Sequence, residues 1–352
     1  MSKKIKYIIS FFIIVFITSC SFDKKTGIWS GSEKEKERIA KLERKQKETI
    51  EVVKIYSQES VYEKEIVPTK SVILTRPKSN ESWRMSNLNL QNFLGNVYLS
   101  GINNNFLKKK IGKNKFSLSK LMSTPLVHKD AIIIADDKGT IFSINKKGKV
   151  NWKKNIYKKI YKKIYKNLSL AIDQDTIFVA DNVGFIYAID LYNGKVIWLK
   201  NHGVPFKSNL KIFDDKIFLI NQDNRILCFS SKDGLKIWDV RTISSFIKSQ
   251  SLLPLAISKD GQLFVLNSSA NLFKLNPKDG RVFWTMQASQ SSLAHDTDFF
   301  QSSEIVTDDK NMYFSTSTSL FSINLNNGYL NWKKDIVSKS IPIIVGKNIF
   351  LV

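Results

Sequence analysis

Cysteine, histidine and arginine are all scarce in this chain of 352 residues. The two cysteines, Cys20 and Cys228, are far apart, and His128, His202 and His295 are the only histidines, with no ligand spacing between them for zinc or copper. Of 55 basic residues only Arg38, Arg44, Arg76, Arg84, Arg225, Arg241 and Arg281 are arginine, and they face 31 Asp and Glu for a formal charge of +24. Such an imbalance suggests nucleic acid or an acidic surface as partner. The joint abundance of Lys, Ile, Asn and Phe is equally what AT-rich coding produces without selection for binding, and both explanations stay open. The apolar stretch Tyr7–Ile17 is eleven residues long, too short to cross a bilayer as a helix. What is present is ample core material, with hydrophobic residues at 43% and aromatics at 12%. That excludes a peptide or bare anchor and leaves room for one large β domain or two ordinary ones.

The first twenty residues read as a secretion signal: Lys3, Lys4 and Lys6, then the apolar stretch, then small residues up to Cys20. Ile17-Thr18-Ser19-Cys20 resembles a bacterial lipobox, in which the Cys becomes the acylated first residue; the alternative is ordinary cleavage near this point. Acylation would hold the chain on its membrane, and Ser21 in place of Asp resembles an outer-membrane address. Export removes nucleic acid from the partners. With Cys20 lipidated, Cys228 stands alone and no intramolecular disulfide can form. The expected layout is therefore a signal peptide over 1–19, a lipidated Cys and charged tether over 20–66, and a globular domain over 67–352. In the tether, Ser32 and Glu35 form a capping box. The Glu/Lys/Arg-rich residues that follow read either as a solvated helical stalk of roughly 36 Å or as a disordered linker.

A cassette repeats beyond Thr124. Glycine precedes tryptophan by four residues at Gly148 and Trp152, Gly194 and Trp198, Gly234 and Trp238, Gly280 and Trp284, and Gly328 and Trp332, so the tryptophans are spaced 46, 40, 46 and 48 apart. That period belongs to four-stranded propeller blades. Asn193, Asp233, Asp279 and Asn327 stand before their glycines, the N-G and D-G pairs of tight hairpins. Val150, Val196, Val282 and Leu330 lie two before their Trp, which predicts a shared strand face. Each unit has an apolar face that only a neighbouring blade can cover, with Trp as a wedge between them. The expected fold is all-β, a propeller of four-stranded antiparallel blades with about five complete repeats and a truncated one. Cys228 falls in the slot of Ser143, Ala188 and Ser322, a small packed residue rather than a nucleophile. Trp238-Asp239 is incidental, since no other repeat has the pair.

The Gly-[Lys/Arg]-Val-x-Trp cassette, with Ala135-Asp136 and Ala180-Asp181 after the preceding strand, resembles the quinoprotein (PQQ-type) repeat. With the lipobox, residues 17–20 and about 125–352 resemble the BamB family of outer-membrane assembly lipoproteins. The resemblance implies an eight-bladed, non-catalytic propeller that needs no cofactor or metal, binds the periplasmic POTRA domains of BamA and helps deliver unfolded outer-membrane β-barrel clients. It implies partner-binding residues too. Asp296-Thr297-Asp298 matches an Asp-x-Asp loop, and Phe246, Ile247 and Lys248 stand, in degenerate form, where the family has Leu-x-Leu-Arg; both also read as plain inter-blade loops. The alternative function is a periplasmic PQQ-dependent dehydrogenase, which would need a carboxylate base, oxygen-ligated Ca2+ and, in the alcohol dehydrogenases, adjacent cysteines. Asp136-Asp137 and Asp308-Asp309 are carboxylate pairs, but at turns where Asp is common. A propeller lectin or adhesin is a third reading.

Three features remain outside that frame. Residues 155–166 repeat Lys-Lys-Ile-Tyr, either a low-complexity insertion or a short helix with an Ile/Tyr stripe opposite Lys that could lie on anionic head groups. Lys108, Lys109, Lys110, Lys113 and Lys115 form a second basic cluster, and residues 83–111 read as an early blade. Pro342–Val352 aligns with the start of a further repeat, which predicts an N-terminal fragment of a longer reading frame.

Overall fold

The computed structural model describes residues 37–38, 40–41, 72–100, 106–112, 123–243, 248, 251–288, 300–336, 338 and 340–351. The chain divides into two compact units, 1–71 and 72–352. In the first, residues 37, 38, 40 and 41 are helical and exposed; the capping box, Cys20 and the rest of the tether lie outside the described residues.

The second unit is built of antiparallel sheets in chain order. The first blade comprises β1 (Leu126–His128), β2 (Ala131–Ala135), β3 (Thr140–Asn145) and β4 (Val150–Asn155). The second comprises β5 (Leu168–Asp173), β6 (Thr176–Asp181), β7 (Phe185–Asp190) and β8 (Val196–Asn201), and the third β9 (Lys211–Phe213), β10 (Lys216–Ile220), β11 (Ile226–Ser230) and β12 (Lys236–Val240). The fourth has β13 (Leu255–Ile257), β14 (Leu263–Leu266), β15 (Asn271–Leu275) and β16 (Val282–Gln287), and the fifth β17 (Val306–Thr307), β18 (Asn311–Ser315), β19 (Leu320–Asn324) and β20 (Leu330–Lys334). A two-stranded sheet of β21 (Ile343–Val345) and β22 (Asn348–Phe350) follows. The first strands β1, β5, β9, β13 and β17 touch one another in succession, so they line the axis and the Trp-bearing fourth strands lie outermost. This is the expected propeller architecture, with five complete repeats and a partial one.

The repeated cassette joins blades. A Cβ placed on Gly194 would sit 2.6 Å from Cε3 of Trp152 in the preceding blade, and the same ring-on-glycine contact joins Gly234 to Trp198, Gly280 to Trp238 and Gly328 to Trp284. These glycines also hold φ between +70 and +77°, where a side chain is strained. Nε1 of Trp152, Trp198 and Trp238 donates to the carbonyl of Leu191, Ser231 and Pro277 of the next blade at 2.9, 3.0 and 3.1 Å. On its other side each ring meets its own blade: Trp198, Trp238 and Trp284 lie 6.0 Å from Phe178, Phe218 and Phe264. The residue registered between Trp and its partner is Ser143, Ala188, Cys228 or Ser322, small enough to let the rings approach, with Lys274 the exception. Buried there, the Cys228 thiol is pushed up to about 12, which leaves it protonated and inert.

Two expectations fail. A bulge falls in every outer strand pair beside the Trp, as between Ala188 and Ile189, so Val196 pairs with Ile189 while Ile197 is skipped. Simple alternation does not carry from Val to Trp, because the extra residue breaks the period of two. The described residues of 83–111 form no blade either. Among the described residues they make only isolated bridges, and 83–92 runs through the ring as a strap.

Candidate functional site

The strap meets all five innermost strands in chain order. Trp83 exchanges backbone hydrogen bonds with Val127 at 2.7 and 2.8 Å. The carbonyls of Arg84, Leu90 and Gln91 then accept from the amides of Ile172, Ile257 and Thr307 at 2.6, 2.9 and 3.0 Å. The third blade contributes a side chain: Lys211 Nζ donates to Ser86 O at 3.1 Å, Asn89 O at 2.7 Å and Asn92 Oδ1 at 2.6 Å. Asn92 in turn donates to Leu255 O at 3.0 Å and Ile305 O at 2.7 Å. Strand edges that would otherwise leave amides and carbonyls unpaired at the axis are satisfied by the strap.

Two buried ionisable groups, Lys211 and Glu304, act on one another electrostatically in this packing. Glu304 accepts from Asn209 Nδ2 at 2.5 Å, while its Oε2 has no partner among the described residues. Burial pushes the Glu304 carboxyl up against the pull of Lys211, and burial holds Lys211 down at about 8. Lys211 occupies the register slot filled by Leu126, Ala171, Ala256 and Val306 in the other blades, where each pairs with the core position of the second strand. A lone lysine in an apolar slot is the signal that identifies it, and sequence reasoning passed over it. Beside the strap lies a cleft of about 420 Å3 lined by Arg84, Leu88, Gln91, Asp173 and Phe213 among others.

One carboxylate of each pair that suggested chemistry, Asp136 and Asp308, is a turn cap, and so is Asp181. Asp181 Oδ1 accepts from the amides of Val183, Gly184 and Phe185 at 2.9, 2.8 and 2.8 Å. Asp136 does the same for Lys138 and Thr140 at 3.1 and 2.7 Å, and Asp308 for Lys310 and Asn311 at 2.7 and 2.6 Å. Asp309 pairs with Lys259 at 3.2 Å. These are Asx turns closing hairpins, which is why Asp follows Ala in the repeat. Asp239 pairs with Arg225 at 2.6 Å and with Lys236, a local ion pair rather than a WD signature.

The features a quinone site calls for are not brought together among the described residues: strap backbone and the Lys211 ammonium lie at the axis, the cysteines are not adjacent, and no group of three or more His, Cys, Asp or Glu is placed to hold a metal.

Strand alternation puts every fourth-to-first-strand connection at one end of the sheets. Phe246, Ile247, Asp296 and Asp298 belong to two of these connections and lie outside the described residues. Lys248 is described, with Nζ 3.5 Å from Asp223 Oδ1. The Trp residues at 152, 198, 238, 284 and 332 all lie on outermost strands, and Trp284 Nε1 has no partner among the described residues.

Residues 139–352 match the family described as outer membrane protein assembly factor BamB. The BamB of Salmonella typhimurium is 27% identical over 180 residues, 48% of this chain and 43% of that protein. The BamB of Yersinia pestis is 23% identical over 265 residues, 68% of this chain and 67% of that protein. The chain thus spans less than half the length of the Salmonella relative. Among solved structures, BamB from Moraxella catarrhalis superposes with a TM-score of 0.50 at 14% identity, covering 62% of this chain and 66% of that one. Quinohemoprotein alcohol dehydrogenase from Comamonas testosteroni gives 0.59 at 13% identity, covering 73% and 49%. At such identities the superpositions speak to the fold alone, whereas the sequence match takes in more than half of the chain: it belongs to the family of the outer membrane protein assembly factor BamB.

Proposed function

We propose that this chain is a non-catalytic scaffold of outer-membrane β-barrel assembly. Cys20 carries the lipid that holds it on the periplasmic face of the outer membrane. The fourth-to-first-strand connections bearing Phe246, Ile247, Lys248, Asp296 and Asp298 engage the POTRA domains of BamA, and unfolded β-barrel clients are handed on through that assembly. The single observation that carries this reading is the strap. A propeller whose axis is crossed by its own backbone hydrogen bonds, with Asp136, Asp181 and Asp308 consumed as turn caps, offers its loops and not a reactive centre. Family membership supplies the setting.

The test is affinity capture with the full chain from detergent-solubilised envelopes. BamA is the expected co-purifying protein. Asp296→Lys with Asp298→Lys should abolish its recovery and leave the melting temperature unchanged, because the role proposed for these carboxylates is in binding and not in folding. Undiminished recovery by that variant removes the loop from the interface. Quinone absorbance and stoichiometric Ca2+ in the purified chain, with no BamA, would replace the scaffold by the dehydrogenase.

A further inference from the structure

The low-complexity segment between β4 and β5 is an ordered connection between blades and forms no helix with an Ile/Tyr stripe. It folds down through its tyrosines. Tyr157 is buried, donates its hydroxyl to Asp181, and stands edge-on to Phe185 and Tyr187 with centroids 6.5 and 5.9 Å apart. Tyr161 packs 5.3 Å from the Phe185 ring. Lys166, also buried, donates to the carbonyls of Tyr161 and Ile164 and lies 4.6 Å above the Tyr157 ring. Between these anchors Lys159–Lys163 makes a 3-10 turn.

The consequence is a division of labour within the repeat that a helical stripe would not give. Tyr157 and Tyr161 point inward and Ile156 packs beside them on the core, whereas the two later isoleucines point out: Ile160 is 76% exposed and Ile164 49%. Lys158, Lys159 and Lys163 are exposed beside them and make no ion pair with any described residue. A fixed pair of branched apolar side chains ringed by three unpaired ammonium groups has the chemistry of an interfacial anchor. The isoleucines gain by entering a hydrocarbon boundary, while the lysines reach phosphate head groups on flexible stems. An acidic protein surface would satisfy the lysines and leave Ile160 in water.

We infer that the 156–165 turn docks on a bilayer containing anionic phospholipid, inserting Ile160 and Ile164 at head-group depth. The inference stands on different residues from the scaffold reading and survives its failure. It also orients the molecule, because this connection leaves from the same end of the sheets as those after β12 and β16.

The test uses the full chain with Cys20→Ser and Cys228→Ser; Ser143 and Ser322 fill the equivalent slot of Cys228 in other blades, so serine is tolerated there. A cysteine introduced by Ile160→Cys carries an environment-sensitive dye, and a second version carries it through Tyr329→Cys, on the hairpin at the opposite end of the blades. On vesicles of phosphatidylcholine with phosphatidylglycerol, the dye at 160 should blue-shift and become protected from an aqueous quencher, while the dye at 329 stays wet. Lys158→Glu, Lys159→Glu and Lys163→Glu together should weaken vesicle binding by roughly 100-fold, about fivefold for each lysine lost from the surface, with unchanged melting. Equal quenching at 160 and 329, equal insertion into pure phosphatidylcholine, or protection of 160 only when an acidic protein is added overturns the inference.

Discussion

Replacing Gly194 by alanine isolates the contact that joins one blade to the next. Two penalties apply. The backbone at Gly194 has φ +71°, which strains any L side chain by about 1–2 kcal/mol. The new methyl would also lie 2.6, 2.8 and 3.0 Å from three atoms of the Trp152 ring, an overpacking worth roughly 1–3 kcal/mol. Gly203 provides the comparison, since it has φ +72° but nothing within 4 Å of an added Cβ. Urea unfolding followed by circular dichroism should therefore show Gly203→Ala costing about 1–2 kcal/mol and Gly194→Ala about 2–5 kcal/mol. In a Trp152→Leu background the excess should vanish, because the ring that creates it is gone. Equal costs at the two glycines, or an excess that persists without Trp152, would refute the idea that ring and glycine form one joint.

Three further predictions concern polar groups of the interior. Lys211→Met leaves Glu304 buried without its counter-charge and should cost about 3–5 kcal/mol, most of it recovered by adding Glu304→Gln; an unrecovered double variant would show that the strap contacts, not the charge pair, dominate. Because burial holds Lys211 at about 8 against an ordinary value near 10.4, the unfolded chain binds the extra proton between those values. Stability should then rise with pH across that window in the wild type relative to Lys211→Met, read as urea midpoints at pH 8 and 10. Trp198→Phe removes the 3.0 Å bond to Ser231 O and should cost about 1 kcal/mol more than Trp284→Phe, whose indole nitrogen has no partner among the described residues. Thermal melts in the reverse order would contradict that assignment.

The blades were legible because each repeats one physical problem. A glycine that must take positive φ and a Trp that must lie on the next such glycine recur at a fixed interval, and the small slot at Cys228 follows from the same register. The bulge beside each Trp was not legible, since an inserted residue leaves the composition of a strand unchanged. The strap was misread as a blade for a related reason: Trp83 and its neighbours have strand-like residues, yet what fixes them is an acceptor set reaching Lys211 far along the chain. Lys211 was passed over because its slot, otherwise held by Leu, Ala and Val, becomes visible only once the first strands are in register. The tyrosines of the Lys-Lys-Ile-Tyr repeat were grouped with the isoleucines by spacing alone, whereas Asp181 and Phe185 of the neighbouring blade separate them.

Hydrogen exchange of the full chain, alone and with the purified periplasmic domains of BamA, bears most directly on the claim that this propeller works by its loops around an axis crossed by the strap. New protection should be confined to the connections 241–254 and 288–305, while the amides of Ile172, Ile257 and Thr307, bonded to the strap, are slow in both states and do not change. Fast exchange of those three amides in the chain alone, or protection that appears at the axis and not on the connections, would contradict it.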